Sequence, residues 1–267
     1  MIVAIEGESK TGKTSLSLTF QKPLHHLDLD PGGFERAARR FQAEVSSGSI
    51  KHTTYFTPLQ AIKEKIGGAE KAGMVFLPTK RLKGYKELWY KLLGDYFTCL
   101  ESKTIRVVVF DPFTAVWELC RHGYLQELQE RQDPNEKPRE RLQPIEHGIP
   151  NTRMKSLLDA GREAGKDLVL VHSMTDVYEK RLVDGRVEEI VTGRDFAGWK
   201  YLESLVDLLL LTRISTQTER VDNKTIVKHI PEAEVKLSGL GLDLLGVKFI
   251  DPSYDKIVKH MELAGGR

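Results

Sequence analysis

The chain has 267 residues, 40% of them hydrophobic, which is enough to bury a sizeable core as one large domain or two small ones. A net charge of only +2 excludes a global basic field, so any nucleic-acid binding must come from local patches. No apolar run is long enough to span a membrane, and we expect no membrane partner. The two cysteines lack a metal-ligand spacing and indicate reduced thiols in a cytoplasmic protein.

Apolar runs alternate with helical patterns along the chain, which is typical of a parallel sheet with crossover helices. The predicted strands are Met1–Glu6, Leu24–Leu29, Arg106–Phe110, Leu168–His172 and Val206–Thr212. The predicted helices are Lys13–Phe20, Tyr85–Leu100, Thr114–Glu130, Thr152–Ala164 and Gly198–Leu205. The fold class expected is therefore α/β, with a mostly parallel central sheet flanked by helices. Because the first strand starts at Met1, we expect no signal peptide and no separate domain before it.

Three segments are predicted to be less regular. Residues 131–150 carry four prolines and mixed charges, which predicts an exposed connection. The stretch Val177–Val191 predicts a hairpin that turns at Asp184-Gly185. Residues 218–250 predict short strands separated by turns, so the C-terminal part is expected to be rich in β-structure.

The sequence from Gly7 to Thr14 has the pattern G-x-x-x-x-G-K-T directly after a buried strand, which is the phosphate-binding loop. Gly7 and Gly12 allow a nest of backbone N–H groups to face phosphate oxygens, and the next helix adds its positive N-terminal end. Lys13 is expected to reach the β- and γ-phosphates, and the Thr14 hydroxyl to hold Mg²⁺. The predicted cofactors are ATP and Mg²⁺, and the predicted nucleotide contacts are Gly7, Glu8, Ser9, Lys10, Thr11, Gly12, Lys13, Thr14 and Ser15.

The apolar run Val107–Phe110 ends in Asp111, which is the second element expected of a phosphate-loop protein. We expect this strand beside the strand of the phosphate loop, with the Asp111 carboxylate holding Mg²⁺ together with Thr14. The alternative is that Asp111 only caps the turn at Pro112.

Other polar residues end the predicted strands and are candidates for the chemistry. Strand alternation places Asp28 and Asp30 on one side of the second strand, where either could activate the attacking water. Alternatively, Asp30 only starts the turn that follows it. His172, with Ser173, ends the fourth strand and is predicted to sense the γ-phosphate, the alternative being a hydrogen-bonded histidine that closes the strand.

In this order, the elements resemble the RecA-like ATPase core, and most closely the small phage-encoded RecA-type ATPases of single-strand annealing and recombination. The resemblance is carried by Gly7–Thr14, His26–Asp30, Val107–Val116, Leu168–Ser173, and Ala197–Leu202 with Val206–Arg213. It implies one RecA-like ATPase domain over residues 1–267, with a core over 1–213 and a β-rich extension over 214–267. It also implies that Asp30 is the water-activating carboxylate, which is usually a glutamate in that family.

The same resemblance implies that the loop Thr175–Phe196 faces single-stranded DNA, and that a homo-oligomer (a ring or a filament) and a single-strand DNA-binding protein are partners. RecA proteins polymerise through a segment before the loop strand, which we expect to be missing here. The loop combines two aromatic rings with four cations, an arrangement suited to a single strand: Lys180, Arg181, Arg186 and Arg194. Interleaved acidic residues favour the alternative of a solvated hairpin.

Two other functions on the same phosphate loop stay open. One is a phosphotransferase, for which Pro134–Arg141 would be a lid over the acceptor. The other is a nucleotide-gated adaptor without significant hydrolysis, serving a replication or packaging machine. The preferred hypothesis is an Mg²⁺-dependent ATPase that acts on single-stranded DNA.

Overall fold

The computed structural model describes residues 1–30, 32–56, 81–183, 186–221 and 224–263. Within these ranges, the side chains of 180–183, 186–189, 196, 219–221, 224–226 and 242 are not described. The strands are β1 Ile2–Gly7, β2 Leu24–Asp28, β3 Ile50–Thr54, β4 Val107–Asp111, β5 Asp167–Val171, β6 Met174–Val183, β7 Arg186–Phe196, β8 Leu208–Val221, β9 Lys224–Ser238 and β10 Lys248–Ile250. The α-helices are α1 Lys13–Ser17, α2 Gly33–Ala38, α3 Gln42–Ser46, α4 Tyr85–Glu101, α5 Phe113–Glu130, α6 Gly148–Glu163 and α7 Tyr254–Leu263. Short 3₁₀ helices cover Pro144–His147 and Leu242–Leu244.

In the described part of the chain, eight strands form one sheet in the order β10-β9-β8-β1-β5-β4-β2-β3. The strands from β8 to β3 in this order pair in parallel, whereas β9 and β10 are antiparallel additions at one edge. Strands β6 and β7 form a separate antiparallel ribbon. The predicted α/β class, with a mostly parallel sheet and a β-rich C-terminal part, is confirmed.

Helices cover both faces of the sheet, as buried parallel strands require. On one face α4, α5 and α6 contribute Trp89, Phe113 and Met154 to a core shared with alternate strand residues such as Val108. On the other face α1, α2 and α7 pack with the residues in between, such as Val109. The strands are therefore buried on both sides, which explains their unbroken apolar sequences.

The sheet order corrects one expectation. The Asp111 strand does not lie beside the phosphate-loop strand, because β5 is inserted between β1 and β4. The Asp111 strand pairs instead with β5 and β2. The carboxyl ends of β1, β2, β4 and β5 still meet at one edge of the sheet, since all four strands run in parallel.

Three local predictions also differ from the structure. Residues Gly198–Leu205 form consecutive turns instead of a helix, since Leu202 N bonds the Trp199 carbonyl and Leu205 N that of Leu202. Buried Trp199 and Leu202 have the spacing of a turn, which resembles one face of a helix. Helix α6 begins at Gly148 and not at the predicted Thr152. Pro150 is tolerated in the first turn of the helix, where its missing N–H is not needed.

The third difference concerns residues 218–250, which are mainly arms of long strands and not a series of short ones. Strands β8 and β9 form an antiparallel hairpin, and β8 runs through residue 213, where the core was expected to end. The hairpin expected at Val177–Val191 is present as β6 and β7, whereas its turn, Asp184-Gly185, lies outside the described residues. No helix in the described ranges has the length and apolarity that a membrane crossing needs.

Candidate nucleotide site

The predicted phosphate loop connects β1 to α1 at the carboxyl edge of the sheet. Gly12 has φ +93°, a left-handed conformation that glycine adopts without strain. A Cβ atom added at Gly7 would lie 2.3 Å from the hydroxyl oxygen of Thr212 on β8, so only glycine fits at this position. The two glycines therefore have separate reasons, backbone conformation at Gly12 and close approach at Gly7.

Lys13 folds back over the loop. Its Nζ atom donates to the carbonyl oxygens of Gly7 at 2.8 Å and Glu8 at 2.6 Å. Burial lowers the pKa of the Lys13 ammonium, whereas the carboxylates of Asp111, Asp30 and Glu8 act in the opposite direction. These contacts hold the cation against the phosphate loop, on the wall of the cavity described below.

Thr14 and Asp111 meet directly, although 97 residues separate them in the sequence. The Thr14 hydroxyl donates to Asp111 Oδ2 at 2.6 Å. A hydroxyl and a carboxylate oxygen at the edge of a phosphate loop are hard donors of the kind that Mg²⁺ prefers. The Thr14 hydroxyl and the Asp111 carboxylate therefore fit a magnesium ion as ligands.

Sequence reasoning missed His26, a fully buried residue of β2. Its Nε2 atom lies 3.3 Å from the same Asp111 oxygen that accepts from Thr14. The register of β2 and β4 brings His26 opposite Val109, two residues before Asp111. The histidine ring thus contacts the Asp111 carboxylate from the neighbouring strand, and the short mixed sequence of β2 gave no signal that singled it out.

The two aspartates at the end of β2 have different environments. Asp28 is buried, and its Oδ1 atom accepts a hydrogen bond from Asp30 N at 3.2 Å, while Oδ2 has no partner among the described residues. Burial raises the pKa of Asp28 to about 6. Because β2 ends at Asp28, strand alternation does not extend to Asp30, which is exposed on the wall of the cavity described below. The catalytic role of each stays a prediction.

His172 is fully buried beneath the site. Its Nδ1 atom lies 3.4 Å from the Ala197 carbonyl oxygen, and its ring packs edge-on against Phe113. Burial lowers the pKa of His172 to about 4, so the ring is neutral near pH 7. Ser173, the next residue, lines the cavity and His172 does not. Any sensing by His172 therefore has to act through its neighbours.

The predicted loop residues surround one open cavity of about 780 Å³. Asp30, Asp111 and Ser173 line it from three different strand ends, and most of the phosphate loop forms its floor. Sequence reasoning missed Arg36, which lines the cavity from α2. Arg194 was predicted only as a DNA-binding residue. In the structure it lies on the cavity wall, beside the phosphate loop.

The β6–β7 ribbon starts at this cavity, because Thr175 and Asp176 belong to its wall. The backbone of Lys180, Arg181 and Arg186 lies farther along the ribbon, and their side chains are outside the described set. Tyr178 is exposed on the same ribbon. The segment predicted to bind DNA therefore forms this ribbon and begins at the cavity, and its DNA binding stays a prediction.

The sequence matches no protein-family model and no curated protein. Among solved structures, the chain is similar to a KaiC-like protein from Pyrococcus horikoshii OT3, with 11% identity and a TM-score of 0.41, over 93% of this chain and 84% of that one. It is also similar to an ATPase from the type III secretion system of pathogenic bacteria, with 11% identity and a TM-score of 0.41, over 79% of this chain and 51% of that one. This chain thus spans about half the length of the secretion ATPase.

Identities of 11% assign no activity to this chain, and TM-scores of 0.41 add nothing to the fold assignment. The assignment rests on the chain itself: a parallel sheet, a phosphate loop after β1, and an aspartate at the end of β4 in contact with Thr14. On these grounds the fold is that of an α/β protein with a phosphate loop at the carboxyl edge of its sheet.

Proposed function

We propose that this protein binds ATP together with Mg²⁺ and hydrolyses it. One observation carries the proposal: Lys13, Thr14 and Asp111 line a single cavity at the carboxyl edge of the sheet, with Thr14 and Asp111 in direct contact. This combination of cation, hydroxyl and carboxylate is what phosphoryl transfer on a phosphate loop requires.

Each residue of the site has a role in this proposal. Backbone N–H groups of the loop hold the phosphates, and Lys13 exchanges its carbonyl contacts for phosphate oxygens. Thr14 and Asp111 hold Mg²⁺, which supplies charge neutralisation at the β- and γ-phosphates. Asp30 accepts a proton from, or orients, the attacking water, because it is the exposed carboxylate on the cavity wall at the end of β2.

The test is nucleotide titration and phosphate release with three variants. Lys13→Ala should abolish tight ATP binding, because it removes the cation that faces the phosphates. Asp30→Asn should bind ATP like the parent and lose turnover. Lys259→Ala, which alters an exposed lysine of α7, is the matched control and should change neither. Unchanged ATP affinity in Lys13→Ala contradicts the proposal, and ATP binding without turnover in the parent favours the nucleotide-gated adaptor.

We further propose that the β6–β7 ribbon binds single-stranded DNA, with a role in phage-type recombination, annealing or replication. The support is positional: the ribbon begins on the cavity wall at Thr175 and Asp176, and it exposes Tyr178, a ring suited to stacking on bases. Cationic residues follow along both strands of the ribbon.

Neutralising Lys180, Arg181 and Arg186 together should weaken DNA binding. The slope of log K against log salt should flatten by up to about three units, since each lost phosphate contact removes about one. ATP affinity should not change, and binding to single- and double-stranded DNA should be compared by filter binding with and without ATP. If the triple variant keeps the parent's affinity and salt slope, the ribbon is a solvated hairpin, and the adaptor or phosphotransferase hypothesis gains.

A further inference from the structure

Arg194 connects three parts of the molecule that the sequence keeps apart. It lies on β7, opposite Asp176 of β6 in the ribbon register. Its Nε atom donates to Asp176 Oδ1 at 2.8 Å, and its Nη1 atom donates to Glu8 Oε1. Glu8 belongs to the phosphate loop, so this guanidinium ties the base of the ribbon to the loop.

The position of Arg194 is at the phosphate end of the cavity. It shares the cavity wall with Lys13 and Asp111. The Glu8 carbonyl accepts from Lys13 Nζ while the Glu8 side chain accepts from Arg194, so both cations meet the same loop residue. Lys13 is the residue expected at the β- and γ-phosphates, so Arg194 lies at the part of the loop where the terminal phosphate is expected.

The ion pair with Glu8 is easy to exchange. Both side chains are well exposed, 49% for Arg194 and 61% for Glu8, and exposed ion pairs of this kind contribute little to stability. A carboxylate in the phosphate loop also repels an incoming triphosphate. A terminal phosphate offers several oxygens to a guanidinium and can bind it in a bidentate manner, which is a stronger interaction.

We propose that Arg194 is a γ-phosphate-binding residue that leaves Glu8 for the terminal phosphate of ATP while its Nε stays on Asp176. The base of the ribbon is then held differently with ATP than with ADP, because ADP lacks the group that draws Arg194 from Glu8. This inference rests on the proposed ATP binding and adds to it a residue that selects between the two nucleotides.

The experiment measures Kd for ATP and for ADP, both with Mg²⁺ and at one ionic strength. The variants are Arg194→Gln, Glu8→Gln and the double variant. Arg194→Gln should weaken ATP binding by about tenfold or more and ADP binding by less than about twofold. The loss of ATP affinity should persist when Arg194→Gln is introduced into the Glu8→Gln background.

A different pattern overturns the inference. If Arg194 only neutralises Glu8, its loss weakens ATP and ADP alike, and the effect disappears once Glu8 is neutral. Arg213→Gln is the matched control, since Arg213 is also half-exposed and paired with a glutamate, Glu234, but does not line the cavity. It should leave the ATP-to-ADP affinity ratio unchanged.

Two further measurements keep the outcomes separable. Arg194→Lys retains the charge without the bidentate geometry and should fall between the parent and Arg194→Gln, which serves if the glutamine variant unfolds. Absence of nucleotide binding by the parent overturns the proposed function as well. Tight ATP binding by the parent, with an unaltered ATP-to-ADP ratio in both Arg194 variants, overturns this inference alone.

Discussion

Thr212 belongs to β8 by sequence and to the phosphate loop by its contacts. Its buried hydroxyl lies 3.0 Å from the Glu6 carbonyl oxygen and 2.7 Å from the Thr11 hydroxyl. Thr11 in turn donates to the Glu8 carbonyl at 2.9 Å. The side chain of Thr212, on the neighbouring strand, therefore stabilises the conformation of the phosphate loop.

Replacing Thr212 with valine should lower both the stability of the protein and its ATP affinity. The change keeps the branched shape but removes the buried hydroxyl that donates to the Glu6 carbonyl, at a cost of about 1–3 kcal/mol in the free energy of unfolding. Thr212→Ser, which retains the hydroxyl, should stay close to the parent. Thr218→Val, at an exposed position of the same strand, is the control. Chemical denaturation and ATP titration measure the two effects, and equal losses in both valine variants would contradict the role of the hydroxyl.

At the scale of the elements, the approach of α6 to the sheet depends on Gly161. A Cβ atom added there would lie 2.6 Å from Leu168 Cδ1 on β5 and 2.7 Å from the Tyr96 hydroxyl oxygen on α4. That hydroxyl donates to the Leu157 carbonyl of α6 at 2.8 Å. Three elements thus meet at a position where a side chain does not fit.

Gly161→Ala should destabilise the protein by about 1–3 kcal/mol, because the added methyl group forces a packed helix away from the sheet. Gly94→Ala is the matched control: it alters a helical glycine with no atom within 4 Å of the added Cβ, and should stabilise by about 0.5–1 kcal/mol through helix propensity. Urea denaturation of both variants gives the comparison. Effects of the same sign in both would show that close packing at Gly161 is not the cause.

At the scale of the whole molecule, charged residues from separate parts of the chain shift the pKa of Glu6. It is buried at the end of β1, and burial raises the pKa of its carboxyl group to about 7. Asp195 and Glu203 raise the pKa further, whereas Lys236 and Arg213 lower it. These four residues come from the ribbon, the turns before β8, and the β8–β9 hairpin.

The raised pKa predicts how the stability of the protein changes with pH. The folded state binds the Glu6 proton more tightly than the unfolded chain, whose carboxyl pKa is near 4.5. The contribution of Glu6 to stability is therefore full below about pH 4.5 and is lost as pH rises through 7, by on the order of 3 kcal/mol. Glu6→Gln should remove this loss, so the variant gains on the parent between pH 5 and pH 8.

Denaturation at several pH values measures this difference. The control is Glu262→Gln, which alters an exposed glutamate of α7 and should leave the pH dependence as in the parent. If the free energies of unfolding of Glu6→Gln and the parent stay parallel across this pH range, Glu6 does not titrate as its burial indicates.

Local sequence patterns determined the α/β class, most strand positions and the phosphate loop. These features depend only on near neighbours in the chain, so they can be recognised without the fold. They are the apolar runs of strand length, the polar residues after them, and the spacing of Gly7, Gly12, Lys13 and Thr14. The α/β class, the Asp111 strand and the β6–β7 hairpin followed from such patterns.

Only the tertiary structure decided which side chains meet at the cavity. Asp30 lines it while Asp28 is buried, because β2 ends at Asp28 and strand alternation does not extend to Asp30. The insertion of β5 between β1 and β4 is invisible in a linear pattern. Thr212 and Arg194 reach the phosphate loop from 201 and 186 residues away. The physical reason is the same for each: such contacts depend on how distant strands are ordered and packed, and no local periodicity encodes that order.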